Sequence, residues 1–506
     1  MSSKYQASEE EAVPDSRHGS NGTLLCRTNL IQSMLYVNKD CIDVFGNKQC
    51  LFSSDFSISN VVIDSRNCKN NSLFIAIKGE NNDGHKFIES AFENGAVCAI
   101  CEYIPENLKK NNEYKKYNII LVDNSIKALQ DLAIYQRNRL NAKVIGITGN
   151  IGKTSTKECI RQVLSQFYKT YATEGNFNND IGLPLMLANT PLDTEILILE
   201  MGTNHIGEIE FLTKIAKPDI AIITTIAPAH IGNFGSIEKI IEAKAEIFKG
   251  LTENGIAILN EENQYFTNLK DIAVKKGIKP ANIKTIGVKT SDIFIKNHSF
   301  NEDYTTNYDV VAGNKEIKCK VQGLSYSKAF NTLFAIEIAD LLGLDLQKVA
   351  DIIAKIPIVK GRGNVEKYTY KSKNITIIND CYNSSPDALK SAIQSVGILQ
   401  QQINNNQHQR VIAVIGDMLE LGENSQKYHQ QIANELLKNQ IKTAIFVGKE
   451  SKIAFDTLPN NYNKMYFSTT DDFINKIDDI LENKDILMLK ASHGLHFDKI
   501  LEYLQK

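Results

Sequence analysis

The sequence predicts an α/β fold with three domains. The central domain has a P-loop and a mostly parallel sheet, and it is flanked by a small N-terminal α/β domain and a C-terminal Rossmann-like α/β domain. Three observations support this prediction. The length of 506 residues suits about three domains. Short apolar runs alternate with helix-like segments, which is typical of parallel sheets covered by helices. One apolar run continues into a glycine-rich loop and then a helical pattern.

Candidate domain boundaries follow changes in composition and hydrophobic pattern. Residues 1–33 lack periodicity and are rich in Ser, Glu, Asn and Gly, so we predict a disordered extension there. We expect the N-terminal domain at 34–141, the central domain at 142–357 and the C-terminal domain at 358–506. Apolar runs predict strands at 61–63, 73–77 and 96–100, then at 144–148, 196–200, 220–225 and 255–260, and finally at 375–378, 411–415, 444–447 and 486–489.

Composition argues against several classes of function. The net charge of −2 provides no basic surface for nucleic acid. No apolar run approaches the roughly 20 residues of a membrane span, and the polar, acidic start does not resemble a signal peptide. Nine scattered cysteines suit a reducing compartment. Cys98 and Cys101 lie in an apolar run, which favours a buried strand over a metal or redox site. We therefore expect a cytoplasmic protein with no nucleic-acid partner.

A strand, a glycine loop and a helix in the central domain predict a phosphate-binding loop. An apolar, β-branched run ends at Thr148, Gly149 and Gly152 bracket a tight loop, and a helical pattern follows Lys153 and Thr154. Backbone N–H groups of such a loop and the helix N-terminus bind phosphates. The lysine can contact the β- and γ-phosphates, and the threonine can ligate Mg²⁺. The usual pattern places a glycine at position 147, where this chain has isoleucine, so a glycine-rich turn without a ligand is the alternative.

Three more residues of the central domain have chemistry that suits a metal site. Glu200 ends an apolar strand, where its carboxylate is well placed for Mg²⁺. His230 follows another strand and could bind a second metal or a substrate carboxylate; a structural histidine is the alternative. Lys244 shares a helical face with Ile240 and Phe248. Burial would favour its neutral amine, which can react with CO₂ to form a carbamate; a lysine that reaches solvent is the alternative.

These motifs resemble those of the Mur ligases, the ATP-dependent peptide ligases of peptidoglycan precursor synthesis. The resemblance runs from about residue 34 to the C-terminus. Its motifs are Ile63-Asp-Ser-Arg66, Lys78-Gly-Glu, Asp83-Gly-His85, Thr148-Gly-Asn-Ile-Gly-Lys-Thr154, Asn178-Asn-Asp-Ile-Gly-Leu-Pro184, Glu200-Met-Gly, Pro228-Ala-His230, Lys244-Ala-Glu-Ile-Phe248, Asp380-Cys-Tyr-Asn-Ser-Ser-Pro386 and Gly416-Asp-Met-Leu-Glu-Leu-Gly422. The last two look typical of the family member that adds D-alanyl-D-alanine.

The resemblance implies a three-domain enzyme that uses ATP and Mg²⁺. It would act as a monomer and join UDP-N-acetylmuramoyl-tripeptide to D-alanyl-D-alanine through an acyl phosphate. The residues implied in ATP binding are Thr148, Gly149, Asn150, Ile151, Gly152, Lys153, Thr154 and Asn331. Those implied in substrate binding are Ser65, Arg66, Lys78, Asn178, Asn179, Tyr382 and Asn383. Thr154 and Glu200 would hold one Mg²⁺, and His230 with carbamylated Lys244 would hold a second; the implied catalytic residues are Lys153, Lys244 and His230.

Some positions depart from the family pattern. Thr225 stands where Asn is usual, Ser327 and Lys328 replace a His-Asn pair, and His493 replaces a common Arg. These departures concern contacts to adenine and to the C-terminal substrate, and they leave the phosphate and metal chemistry untouched. Two other functions are open at this point. A tripeptide-forming relative would differ in the amine it accepts. A nucleotide-binding scaffold would have lost the implied catalytic residues, all of which are present.

Overall fold

The computed structural model describes residues 34–228, 234–403, 409–419 and 421–505. These residues form three large sheets and one small two-stranded sheet, Tyr36–Val37 with Ser57–Ile58. The predicted extension at 1–33 and the candidate ligand His230 lie outside the described residues. In the part of the chain that the structure describes, none of the helices combines the length and apolar character needed to cross a bilayer.

The N-terminal sheet has five strands and is parallel except at one edge. Its order is Cys50–Leu51, Ile119–Leu121, Ala96–Cys101, Ser72–Ile75 and Asn60–Val62, with only the first pair antiparallel. Its helices are Asn38–Phe45, Ile88–Glu93, Glu106–Lys109 and Ser125–Arg139. Cys98 and Cys101 are fully buried in their strand, as predicted. Burial raises the pKa of the Cys101 thiol to about 12, which suits a core residue.

The central sheet has nine strands, and its middle is parallel. The order is Lys315–Gln322, Thr305–Ala312, Ile293–Phe300, Ile283–Gly287, Ile256–Asn260, Ile220–Ile223, Lys143–Thr148, Ile196–Glu200 and Thr170–Ala172. The first three strands form an antiparallel extension at one edge. The helices are Lys153–Leu164, Gly182–Ala188, Glu208–Ala216, Ile237–Ala245, Phe266–Lys275, Tyr326–Leu341 and Leu346–Ile353.

Alternating side chains bury both faces of the central sheet. In the strand Ile196–Glu200, Ile196 and Ile198 pack into one core, and Leu197 and Leu199 pack into another. This is the period of two that a strand covered on both sides requires. The phosphate-loop helix contributes to the first core, and the helix bearing Lys244 contributes to the second. The sheet is therefore a rigid platform whose carboxyl edge supports the candidate site.

The C-terminal sheet has six strands and is mostly parallel. Its order is Asn364–Tyr370, Lys373–Asn379, Ile486–Lys490, Val411–Gly416, Thr443–Val447 and Asn463–Phe467, with only the first pair antiparallel. Its helices are Pro386–Ile403, Ser425–Lys438, Lys452–Thr457, Thr470–Ile474, Ile477–Ile480 and Asp498–Leu504. The carboxyl ends of its central strands face the cleft described below.

The predicted strands agree with the structure within a few residues, with two informative differences. The strand predicted at 220–225 ends at Ile223, and the next residue, Thr224, uses its hydroxyl to bond the Ile151 carbonyl of the phosphate loop. The strand predicted at 73–77 ends at Ile75. The antiparallel extension at 293–322 was not predicted, because its strands are rich in charged and polar residues rather than apolar runs.

Candidate active site

The phosphate loop joins the end of the strand Lys143–Thr148 to the first turn of the helix that follows. Gly149 and Gly152 have φ angles of 139° and 90°, which favour glycine. A Cβ on Gly149 would lie 2.1 Å from the Thr224 hydroxyl oxygen, so space also requires glycine there. The Thr224 hydroxyl donates to the Ile151 carbonyl at 2.7 Å and fixes the loop against the neighbouring strand.

Lys153 folds back over the loop. Its ammonium donates to the carbonyl oxygens of Gly149 at 2.9 Å and Asn150 at 3.4 Å. Burial lowers the pKa of Lys153, the Glu200 carboxylate opposes that shift, and the Arg362 guanidinium adds to it. The ammonium thus lies where the terminal phosphates of a nucleotide would meet the loop, and it can exchange carbonyl oxygens for phosphate oxygens.

The other residues predicted to bind ATP differ in their position relative to the cleft. The Thr148 side chain is fully buried and its hydroxyl donates to the Met201 carbonyl at 2.9 Å, so it supports the loop rather than facing the cleft. The Thr154 hydroxyl faces the cleft and accepts from Arg362 Nη2 at 3.4 Å. A Cβ on Gly152 would lie 3.0 Å from Asn331 Oδ1, which puts the Asn331 amide against the loop.

Glu200 has a buried carboxylate oxygen whose chemistry suits a bound cation. The residue is 2% exposed, and its Oε1 accepts a hydrogen bond from Asn178 Nδ2 at 3.0 Å. Its Oε2 is buried, and within the described residues it has no hydrogen-bond partner. An unpaired buried carboxylate oxygen is costly unless a cation compensates it. Asn179, beside Asn178, instead accepts the Gly182 N–H at 2.7 Å and begins a helix.

The residues present fit one Mg²⁺ ion. The Thr154 hydroxyl and the Glu200 carboxylate line the same cleft, and oxygen atoms are the ligands Mg²⁺ prefers. Groups of three or more His, Cys, Asp or Glu side chains with metal-binding spacing do not occur among the described residues.

Lys244 is buried on the inner face of the helix Ile237–Ala245, where the sequence predicted it, and is 3% exposed. Burial holds the pKa of Lys244 well below its usual value, and the neighbouring Lys153 ammonium lowers it further. The carboxylates of Glu208, Glu246 and Glu200 oppose the shift. Among the described residues, no carboxylate forms an ion pair with Lys244, since Glu246 instead accepts two backbone N–H bonds at the start of a neighbouring helix. The side chain is therefore a candidate neutral amine.

A cleft of about 500 Å³ separates the central domain from the C-terminal domain. The phosphate loop, Thr154, Asn178 and Glu200 line one wall. The opposite wall consists of residues from the C-terminal domain and the segment that leads into it, including Arg362, Asp380, Tyr382, Asn383, Ser384 and Lys490. A substrate that fills this cleft would contact two domains at once.

Arg362 is a cleft residue that the sequence did not predict. It lies between Gly361 and Gly363, whose φ angles of 75° and 79° suit glycine. Its guanidinium stacks on the Tyr382 ring at 4.3 Å from the centroid, and its Nε is buried with no hydrogen-bond partner in the described residues. No described carboxylate pairs with it, so its charge can serve an anion. A glycine-flanked arginine at the predicted domain boundary was the available signal.

A buried ion pair supports the C-terminal wall. Lys490 is 3% exposed; its ammonium lies 2.7 Å from the Asp380 carboxylate and donates to the Asn383 carbonyl at 2.9 Å. Asn383 uses its own side chain to accept the Ser384 N–H at 2.8 Å. The predicted substrate residue Tyr382 is 47% exposed and lines the cleft. The ion pair fixes the segment that presents Tyr382 and Asn383 to a ligand.

The departures from the family pattern lie in three places. Thr225 lines the cleft, and its hydroxyl accepts from Asn260 Nδ2 at 3.3 Å. His493 is exposed, with its ring 6.4 Å from that of Tyr382. Ser327 and Lys328 both contact the C-terminal side of the cleft, at Ser391 and Gly363.

The N-terminal candidates lie outside this cleft. Ser65 and Arg66 follow the strand Asn60–Val62, and Lys78 follows the parallel neighbouring strand, so they share one edge of the N-terminal sheet. Ser65 is buried, whereas the Arg66 side chain is 76% exposed and its guanidinium lies 2.8 Å from the Asp64 carboxylate. Lys78 is exposed. The structure therefore groups these residues at a surface separate from the phosphate loop.

Comparisons with known proteins match the whole described fold. Three family models match: the Mur ligase family catalytic domain at 57–137, the Mur ligase middle domain at 147–339, and the Mur ligase glutamate ligase domain at 365–493. The UDP-N-acetylmuramoyl-tripeptide–D-alanyl-D-alanine ligase of Rickettsia prowazekii is 36% identical over 90% of this chain and 96% of its own length. The Bacillus subtilis protein of the same name is 32% identical, over 88% and 93%.

Solved structures agree with these matches. MurF from Acinetobacter baumannii superposes with a TM-score of 0.80 at 25% identity, covering 93% of this chain and 99% of that one. MurF ligase from Thermotoga maritima, crystallised with ADP, has a TM-score of 0.74 at 27% identity, covering 88% and 97%. The phosphate loop lies in one cleft with the buried carboxylate of Glu200 and, on the opposite wall, with Arg362. Together these features define a P-loop enzyme whose site lies between two domains. The chain belongs to the Mur ligase family, whose members are ATP-dependent amide-bond-forming enzymes.

Proposed function

We propose that this enzyme joins D-alanyl-D-alanine to UDP-N-acetylmuramoyl-tripeptide with hydrolysis of ATP to ADP and phosphate. The product is the UDP-linked pentapeptide precursor of peptidoglycan. The names of the relatives in Rickettsia and Bacillus support this reaction. The observation that carries the proposal is the cleft itself, which is lined by Lys153, Arg362 and Glu200, and within the described residues the buried Oε2 of Glu200 has no hydrogen-bond partner. Two cations and a candidate metal ligand in one cleft are what a reaction between two anions needs.

In the first step, a carboxylate oxygen of the tripeptide attacks the γ-phosphorus of ATP. A new O–P bond forms, the bond to the β-phosphate oxygen breaks, and ADP leaves. Lys153 and Arg362 stabilise the negative charge on the transferring group from opposite walls of the cleft. In the second step, the dipeptide amine attacks the acyl carbon and forms an N–C bond, the acyl C–O bond breaks, and the leaving phosphate takes the proton that the nitrogen loses as the amide forms. Domain closure protects the acyl phosphate from water.

Thr154 and Glu200 would hold one Mg²⁺ ion, and His230 with a carbamate on Lys244 would hold a second. Ions bound there would supply positive charge to the reacting phosphates. The Lys244 carbamate forms when its neutral amine attacks CO₂, making an N–C bond and releasing one proton to water. The burial of Lys244 and the nearby Lys153 charge support this modification.

The remaining assignments follow from placement. Ser65, Arg66 and Lys78 bind the UDP end of the substrate at the N-terminal sheet edge. Tyr382 and Asn383 contact the incoming dipeptide.

Asn178 and Asn179 bind substrate at the central domain. The domain divisions at 34–141, 142–357 and 358–506 each enclose one large sheet. We also propose that the enzyme is a monomer. Its proposed location is the cytoplasm, because the cysteines of the described residues are all free thiols.

An amine-acceptor assay tests the proposal. Purified enzyme receives ATP, Mg²⁺ and UDP-N-acetylmuramoyl-tripeptide, and ADP is measured together with the new peptide by mass spectrometry. D-Alanyl-D-alanine should support turnover, and single amino acids should not. A parallel reaction contains UDP-N-acetylmuramoyl-dipeptide in place of the tripeptide. Turnover of that substrate with a single amino acid would instead assign the enzyme to the tripeptide-forming branch of the family. Absence of ADP with every amine would contradict ligase activity.

A further inference from the structure

Lys328 connects the central domain to the segment that bears Arg362. It lies in the first turn of the helix Tyr326–Leu341, half-buried, and its ammonium donates to the Gly363 carbonyl at 2.9 Å. Its neighbour Ser327 makes a second contact across the same boundary, with its hydroxyl oxygen 2.7 Å from that of Ser391. Both residues that depart from the family pattern in this turn therefore contact the C-terminal side of the cleft.

Two glycines provide the space for the Lys328 ammonium. A Cβ on Gly323 would lie 2.4 Å from Lys328 Nζ, and a Cβ on Gly363 would lie 2.9 Å from it. Both glycines have positive φ angles, 92° and 79°, which other residues adopt only with strain. The backbone on both sides of the boundary is thus shaped around this one side chain.

The segment from Gly361 to Gly363 is fixed to the C-terminal domain by its backbone. The Tyr382 N–H donates to the Gly361 carbonyl at 3.0 Å, and the Gly363 N–H donates to the Asn379 carbonyl at 2.6 Å. Lys328 supplies the contact on the other side, at the Gly363 carbonyl, one residue after Arg362. Gly363 is thus held through its N–H by the C-terminal domain and through its carbonyl by Lys328, and the neighbouring Arg362 guanidinium lies 3.4 Å from the Thr154 hydroxyl.

The surroundings of Lys328 strengthen its hydrogen bond to the Gly363 carbonyl. Burial lowers its pKa to about 8, the Asp380 carboxylate raises it, and the Lys490 ammonium lowers it. A hydrogen bond from a partly desolvated ammonium to a backbone carbonyl is stronger than one in water. The contact therefore restrains the Arg362 segment more firmly than a surface lysine could.

We propose that Lys328 is a positioning residue that aims Arg362 at the transferring phosphate. It acts through Arg362 and touches no reacting atom. The proposal rests on the function proposed above and deepens it, since it assigns to the central domain part of the control over the arginine of the opposite wall.

A double-mutant cycle tests this coupling. Lys328→Met is made in the wild-type enzyme and in an Arg362→Lys background, and kcat is measured by phosphate release at saturating ATP and both peptides. We expect kcat to fall about tenfold in the wild-type background, the effect of losing one hydrogen bond from a charged group, with an unchanged KM for the dipeptide. In the Arg362→Lys background, the same substitution should change kcat less than about twofold. Equal losses in both backgrounds, or no loss in either, would overturn the proposal.

Two further variants separate positioning from folding. Lys464→Met is the matched control, because Lys464 also donates to backbone carbonyls, of Phe455 and Leu458 at 2.7 Å each, but within the C-terminal domain alone. It should keep wild-type kcat. If Lys328→Met does not fold by thermal melting, the cycle is run with Lys328→Gln, which retains a donor on a shorter side chain and should lose less activity. If the wild type and Lys464→Met are both inactive, the proposed function is contradicted. If both are active and Lys328→Met is also fully active, only the positioning role of Lys328 is contradicted.

Discussion

Glu200→Gln separates a metal-binding carboxylate from a structural one. The amide matches the carboxylate in shape and can still accept from Asn178, but it lacks the charge. In the absence of metal, wild-type Glu200 leaves Oε2 buried without a partner among the described residues. Such a group costs about 1–3 kcal/mol. Each kcal/mol corresponds to about 2–4 °C in a domain of this size. The variant places an amide nitrogen where Oε2 was, which is also unpaired but carries no charge, so the substitution removes only part of this cost. We therefore expect the metal-free variant to melt at the wild-type temperature or up to about 5 °C higher.

When Mg²⁺ is added, the wild type should melt at a higher temperature than Glu200→Gln. Saturation at 100 times Kd stabilises a folded protein by about 2.7 kcal/mol, and Glu200→Gln should lose most of that gain when melted with Mg²⁺ and ADP. Its kcat/KM should fall by at least about 100-fold, the size of losing one preorganised charge interaction. Thermal melting across a Mg²⁺ titration, together with phosphate release, measures both effects.

Glu246→Gln is the control for this experiment. Glu246 is also 2% exposed, yet both of its oxygens accept backbone N–H bonds, from Gly207 and Glu210. Its amide variant should lose stability with or without Mg²⁺ and should keep the wild-type midpoint of the Mg²⁺ titration. If Glu200→Gln is destabilised without metal and responds to Mg²⁺ as the wild type does, Glu200 is a structural residue and the metal assignment is wrong.

Three other substitutions test the remaining parts of the site. Lys153→Met should abolish phosphate release while melting within a few degrees of the wild type; measurable turnover would show that the loop lysine is dispensable. Lys244→Ala should lose activity that short carboxylic acids partly restore, and the intact protein should gain 44 Da of CO₂ at Lys244 in native mass spectrometry with bicarbonate; full activity of the alanine variant would exclude the carbamate. Arg362→Lys keeps the charge but loses the planar fork, so kcat should fall about tenfold or more with little change in stability; an unchanged kcat would remove Arg362 from the mechanism.

Local signals in the sequence were sufficient to predict the phosphate loop and its platform. The strand at 196–200 has the same first and last residues in the structure as in the prediction. The inward placement of Lys244 also followed from helical spacing with Ile240 and Phe248. These features depend on apolar residues that repeat every two residues along a strand or every 3.6 along a helix. Such a repeat within one segment can be read directly from the sequence.

Features that depend on packing between distant segments were not predictable in this way. Arg362 lies 208 positions after Thr154, and their contact exists only because two domains meet. Thr148 was predicted to contact ATP from its position in the motif, but its hydroxyl serves the neighbouring strand end. The role of Lys328 likewise requires knowing that Gly323 and Gly363 converge on its ammonium. Sequence spacing does not encode such distances.

Transfer of an oxygen atom tests the central claim most directly, namely that the tripeptide carboxylate attacks ATP within this cleft. The enzyme receives UDP-N-acetylmuramoyl-tripeptide labelled with ¹⁸O in its reacting carboxylate, together with ATP, Mg²⁺ and D-alanyl-D-alanine. We expect one ¹⁸O atom in each phosphate released, because the acyl carbon–oxygen bond breaks in the second step. Phosphate free of ¹⁸O, alongside normal formation of the amide, would contradict the acyl phosphate and the arrangement of charges built to make it.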